Sequence, residues 1–203
     1  MKLFLLALAV LSITACDKKN SDGTYNRATE ESKANKDIQN KNLEEKASKM
    51  ENDLQRRFRF YAGVSHNYSG LFKIRENSYQ MNVEIFSTRH SEESDRVRNL
   101  EEIQDDLNNL FLNARVVIRG SKDSIGAKGC VFEKVRPDIT NGIIQLISSD
   151  CPNRYTLYLG SPKASATQAN ALLDGRQKSV NQLLVNVSSQ FNDREYNAVI
   201  NKR

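Results

Sequence analysis

The amino-acid sequence predicts a β-dominated α+β domain, with about eight antiparallel strands in a curled sheet or barrel and two or three helices. From Tyr68 onward apolar residues recur at every second position in segment after segment, the period of a strand with one buried face. Two stretches interrupt that rhythm: one between Ser91 and Asn109 with helical apolar spacing, and an Ala-rich one between Pro162 and Asp174-Gly175. Eight such strands in a flat open sheet would leave apolar faces in water and edges unpaired, so the sheet is expected to curl or close, with helices against it.

The chain begins with Met1-Lys2, a short positive start, and Leu3 to Ile13 is an apolar run of signal-peptide length, too short to span a bilayer. It ends Ile13-Thr14-Ala15-Cys16, an aliphatic residue and two small ones before a cysteine. That tetrad resembles the lipobox of bacterial lipoproteins. The resemblance covers the first 16 residues and implies cleavage before Cys16, with fatty acyl chains such as palmitate carried on that residue. It also implies a lipid anchor to the cell membrane on the periplasmic side; each buried methylene adds about 0.8 kcal/mol, so two or three chains hold durably. Asp17 resembles an inner-membrane retention signal of enteric-type sorting, a rule other lineages do not follow, and the choice of membrane stays open.

From Asp17 to about Lys41 Asp, Glu, Lys, Asn and Ser dominate, and conformational entropy is expected to leave a flexible tether. At its end Leu43, Ala47, Met50, Leu54 and Phe58 share one helical face, which predicts a short helix leading into the domain. The stripe lasts about two heptads, short of a coiled coil, and is expected to pack on its own domain. The expected organisation is therefore a signal peptide over 1–15, a lipidated cysteine and tether ending in a short helix over 16–50, and one folded domain over 51–203. Arg56-Arg57-Phe58-Arg59-Phe60-Tyr61 interleaves basic and aromatic residues, as nucleic-acid and anionic-lipid surfaces do. Period two instead predicts a strand entrance with Phe58 and Phe60 facing in and the arginines facing water.

Tyr68, Gly70, Phe72 and Ile74, then Tyr79, Met81, Val83 and Ile85, alternate about Glu76-Asn77 as a hairpin. Val97, Leu100, Ile103, Leu107 and Leu110 predict a helix between Ser91 and Asn109, with Ser91 as cap and Glu92 and Glu93 in its first turn. Leu112, Ala114, Val116 and Ile118 alternate with Asn113, Arg115 and Arg119, and a strand around Cys130 to Val135 completes a second hairpin. Ile143 to Ile147 and Tyr155 to Leu159 pair around Cys151-Pro152-Asn153. A helix is expected between Pro162 and Asp174-Gly175. Leu183, Val185 and Val187, then Tyr196, Ala198 and Ile200, form the last hairpin about Asn192-Asp193. The order hairpin, helix, hairpin occurs twice and raises an internal duplication, although apolar alternation makes local matches cheap.

With Cys16 assigned to lipid, Cys130 and Cys151 remain, an even number for a compartment outside the reducing cytoplasm, and a disulfide is expected. They lie almost equidistant from Asn141, so antiparallel pairing of Val131 to Val135 with Ile143 to Ile147 would bring both to one hairpin end. Closing a loop of about 20 residues stabilises by roughly 3 kcal/mol on the chain-entropy model. A redox pair would want two intervening residues, and this spacing is structural.

No catalytic motif emerges: there is no G-x-S-x-G, H-E-x-x-H, phosphate-cradling glycine loop or acidic calcium loop. His66 and His90 flank the first hairpin near Glu92 and Glu93. Neither shows a spacing that aims two ligands at one point, so solvated histidines and no metal are expected. Pro137-Asp138 and Asn141-Gly142 are accounted for by turn chemistry. The formal charge of +5 is spread over 30 basic residues among 25 acidic ones, and export further argues against nucleic acid. The expectation is a non-enzymatic envelope lipoprotein without cofactor, a binding or structural module that contacts an envelope protein or cell-wall polymer. The alternative is a carrier of a small apolar ligand in a barrel cavity. The two differ in whether Phe72, Ile74, Met81, Val83, Val116, Val185 and Val187 pack together or line a hollow.

Overall fold

In chain order the elements are α1 (Arg27–Val64), β1 (Asn67–Ile74), β2 (Asn77–Ser87), α2 (Leu100–Asn108), β3 (Leu112–Gly120), β4 (Cys130–Val135), β5 (Ile143–Leu146), β6 (Asn153–Leu159), α3 (Ser165–Leu173), β7 (Gln182–Ser189) and β8 (Glu195–Lys202). They come from a computed structural model that describes residues 27–74, 76–88, 99–120, 129–189 and 195–203. The signal segment, Cys16, His90, Ser91, Glu92, Glu93, Val97 and the Asn192-Asp193 turn lie outside the described residues.

The chain divides into two units, Met1–Asn42 and Leu43–Arg203. In the first, residues 27–42 are helical and the side chains of 33–42 are exposed, so the stretch read as tether has helical backbone from Arg27. No Gly or Pro interrupts Arg27 to Ala62, and Ala, Glu, Lys and Gln recur there, all good helix formers.

In the second unit α1 also runs further than the apolar stripe suggested. The strand entrance expected at Arg56 to Tyr61 is instead its last turns. Leu54, Phe58, Tyr61 and Val64 recur at helical spacing and are buried, and Phe60 and Gly63 are buried beside them. Adjacent buried positions such as Phe60 and Tyr61 cannot share one face of a strand, whereas a helix buried over a wide arc accommodates both. The arginines make local contacts: Arg57 pairs with Asp53 at 2.8 Å, Arg56 with Asp174 at 3.5 Å, and Arg59 reaches the carbonyl of Leu173 at the end of α3.

The eight strands form one antiparallel sheet in the order β4-β3-β2-β1-β8-β7-β6-β5, curled into a nearly closed barrel. Every strand neighbours its sequence neighbour except at one place. The first and last strands join, Tyr68 opposite Lys202 and Ser69 opposite Asn201, and the gap falls between β4 and β5. The ladder expected between Val131 to Val135 and Ile143 to Ile147 is therefore corrected, since these strands are the two edges of the sheet. β4 pairs with β3 instead, and Asp138 folds the connection locally by accepting from the backbone N–H groups of Thr140 and Asn141 and exchanging backbone hydrogen bonds with Ile143. Cys130 and Cys151 are nonetheless bonded, with Cα atoms 5.7 Å apart, across the gap rather than at a hairpin end.

One core cluster joins the inward residues of the strands, Phe72, Met81, Val83, Val116, Val185 and Val187 among them, to Leu54, Phe58 and Phe60 of α1 and Ile103 of α2. Asn99, not Ser91, caps α2: its Oδ1 accepts from Glu102 N at 2.8 Å while its own N–H donates to the Glu102 carboxylate, a reciprocal box. α3 starts at Ser165, after a turn through Pro162, and ends at Leu173 as expected.

Candidate binding groove

Alternation decides what the outer face of the sheet presents. Because Met81, Val83 and Ile85 of β2 face the core, Gln80, Asn82, Glu84 and Phe86 face solvent; on β3 burial of Ala114 and Val116 turns Arg115, Val117 and Arg119 outward. Pairing sets these residues in rows: Glu84 lies opposite Arg115 and Asn67, Asn82 opposite Val117 and Ser69, and Gln80 opposite Arg119 and Leu71.

Arg203, just beyond β8, completes the middle row. Its Nε donates to Ser69 Oγ at 2.7 Å and its Nη2 to Asn82 Oδ1 at 3.0 Å, and its backbone N–H bonds Asn67 O at 2.9 Å. The guanidinium is thus held in place with N–H groups to spare. Asn67, Gln80, Asn82, Glu84, Arg115, Val117, Arg119 and Arg203 line an open groove of about 740 Å³ that reaches Ser65 and His66 just before β1.

The groove lining holds three arginine side chains, Arg115, Arg119 and Arg203, and one carboxylate side chain, Glu84. Among the described residues the ion pairs are Arg56–Asp174, Arg57–Asp53 and Arg176–Asp174, none of which involves a groove residue. The neighbouring strands continue the amide chemistry, with Gln182 donating to Asn201 and Asn186 to Asn197, each at 3.2 Å. Primary amides both donate and accept, and guanidinium forks donate in a plane, so the surface suits hydroxyl and carboxylate groups.

At the groove's end Lys202 Nζ donates to His66 Nε2 at 3.1 Å, with the ring proton on Nδ1. Partial burial, and secondarily the Lys202 charge, hold the His66 pKa below its ordinary value, so the ring is neutral near neutral pH. Burial pushes the Tyr68 phenol well above its usual range; its hydroxyl donates to Val64 O at 3.2 Å and ties β1 to the end of α1. A smaller cleft of about 390 Å³ lies between α1 and α2, lined by Met50 and Leu100 with polar neighbours.

Of the residues singled out in the sequence, Cys130 and Cys151 are brought together and His66 lies beside the groove. Cys16, His90, Glu92 and Glu93 lie outside the described residues. Among the described residues no three or more His, Cys, Asp or Glu side chains gather as a metal site, and no helix is long and apolar enough to cross a membrane. The groove itself escaped sequence reading. The outward direction of Arg115 and Arg119 was legible from alternation, but Arg203 and Ser69 meet Asn82 only because β8 pairs with β1. No protein-family model matches this chain, and neither does any curated protein or any solved structure.

Proposed function

We propose that this chain is a lipid-anchored envelope lipoprotein, tethered through Cys16 outside the cytoplasm, whose barrel is a non-enzymatic binding module that engages its partner on the outer face of β1, β2 and β3. A nearly closed barrel is a scaffold compatible with surface binding or with an enclosed ligand. The observation that favours the surface is the core itself. Phe72, Met81, Val83, Val116, Val185 and Val187 already have protein neighbours, including Leu54, Phe58 and Phe60 of α1, while the outer groove carries amides and guanidiniums with capacity to spare. The Cys130–Cys151 disulfide suits an oxidising compartment, and Ile13-Thr14-Ala15-Cys16 supplies the means of export and anchoring.

Metabolic labelling with an alkyne fatty acid tests the anchor. The full chain is expected to take up label and to stay with membranes through a carbonate wash, with mature mass beginning at Cys16, whereas Cys16→Ala loses label and membrane association. An unlabelled wild-type chain, or one the wash releases, overturns the lipoprotein reading.

A further inference from the structure

We infer that the outer groove of β1, β2 and β3 binds an acidic glycan, a polymer whose sugar units carry carboxylates; this deepens the binding-module reading and rests on it. Charge comes first. Arg115 and Arg119 stand four residues apart on one strand, about 13 Å at the usual strand rise, and Arg203 is pinned in the row between them by Ser69 and Asn82. Cations so spread do not converge on one small anion. They match negative charges repeated along a chain.

The surroundings of the arginines distinguish the kind of chain. Asn67, Gln80 and Asn82 line the same groove and offer paired donors and acceptors, the complement of sugar hydroxyls, each of which also both donates and accepts. Phe86, 47% exposed, lies on the same face of β2 and presents a ring for the apolar face of a sugar to lie against. The backbone of an acidic peptide would also pair with the amides, but its carboxylate side chains offer no flat apolar face to Phe86, and it is the ring that favours a sugar. The groove is open, as a polymer passing through requires.

The test is equilibrium binding of the full chain in non-ionic detergent to fluorescent oligogalacturonate, a pure uronic-acid chain, with dextran as neutral glycan and polyglutamate as acidic peptide. Oligogalacturonate is expected to bind at least about tenfold more tightly than either comparison polymer, and to weaken severalfold between about 0.05 and 0.5 M salt as the charges are screened. Arg115→Ser with Arg119→Ser should weaken it at least about tenfold and Phe86→Ala severalfold, while Arg154→Ser on the outer face of β6 leaves it unchanged; circular dichroism verifies that the variants fold. Should the double variant fail to fold, the ranking of the three polymers and the salt response of the wild type still decide.

Equal affinity for polyglutamate would make this an acidic-peptide site, equal affinity for dextran a neutral-glycan site, and binding untouched in a folded double variant would place the ligand elsewhere; each result overturns the inference. A chain that carries fatty acid on Cys16 but ignores oligogalacturonate overturns this inference alone. One that binds oligogalacturonate without carrying lipid overturns only the anchor.

Discussion

His66 shows how one residue ties the domain's stability to pH. Its folded pKa lies below the unfolded value of about 6.5, from burial first and the Lys202 charge second. Below that value the unfolded chain binds the proton that the folded one resists, so this contribution is present above pH about 6.5 and is lost as pH falls through the folded pKa. Thermal unfolding followed from pH 7.5 down to 5 should show a falling Tm, and His66→Gln should flatten part of that fall; an identical slope in the variant would refute the assignment. Ser165 is another residue with a structural task. Its hydroxyl donates to Gly142 O at 2.5 Å and accepts from Leu159 N at 3.1 Å, so one buried side chain joins β5, β6 and α3. Gly142, at φ +66°, leaves the room for this: a Cβ there would strike Ser165.

Closure is decided at the level of the element, where β8 must approach β1. Gly70 makes that approach possible, because a Cβ on it would overlap the carbonyl oxygen of Val199 and crowd Ile200. Backbone cannot swing aside as the tip of a side chain can. Gly70→Val is therefore expected to cost about 1–3 kcal/mol, the usual range for overpacking, read as a lower denaturant midpoint. Hydrogen exchange should rise first in β1 and β8, and a variant that exchanges there like the wild type would remove Gly70 from this role. A second element-level feature is the bulge in β4, where Glu133 and Lys134 together oppose Asn113, Lys134 takes φ +53°, and its N–H finds Asn113 Oδ1 at 3.0 Å. The bulge bends an edge strand beside the gap.

The seam between β4 and β5 is where the whole barrel lacks a ladder. Each edge strand has one paired neighbour; the Asp138 to Ile143 bridge closes the turn that leads into β5, and the Cys130–Cys151 bond is the covalent tie across the seam. Replacing both cysteines by serine should lower stability by about 3 kcal/mol in guanidinium titration, and reducing the wild type should do the same. Exchange should then quicken in β4 and β5 ahead of β1 and β8. A reduced chain as stable as the oxidised one would show that the seam holds without its bond.

The sequence by itself determined the eight strands, their inward residues and the helix between each pair of hairpins, because period two and period three to four are local properties of the chain, and it paired Cys130 with Cys151 as the two cysteines outside the leading segment that holds Cys16. It misread Arg56 to Tyr61, where Phe58 and Phe60 satisfy a strand pattern and the burial of Tyr61 and Val64 reveals the helix only once the core surrounds them. The tertiary structure alone decided that β1 pairs with β8, that β4 and β5 are edges rather than a hairpin, and that Arg203 joins Arg115 and Arg119 over one groove. Such contacts join residues far apart in sequence, chosen by how the sheet curls to bury all its apolar faces at once, and no local pattern records that choice.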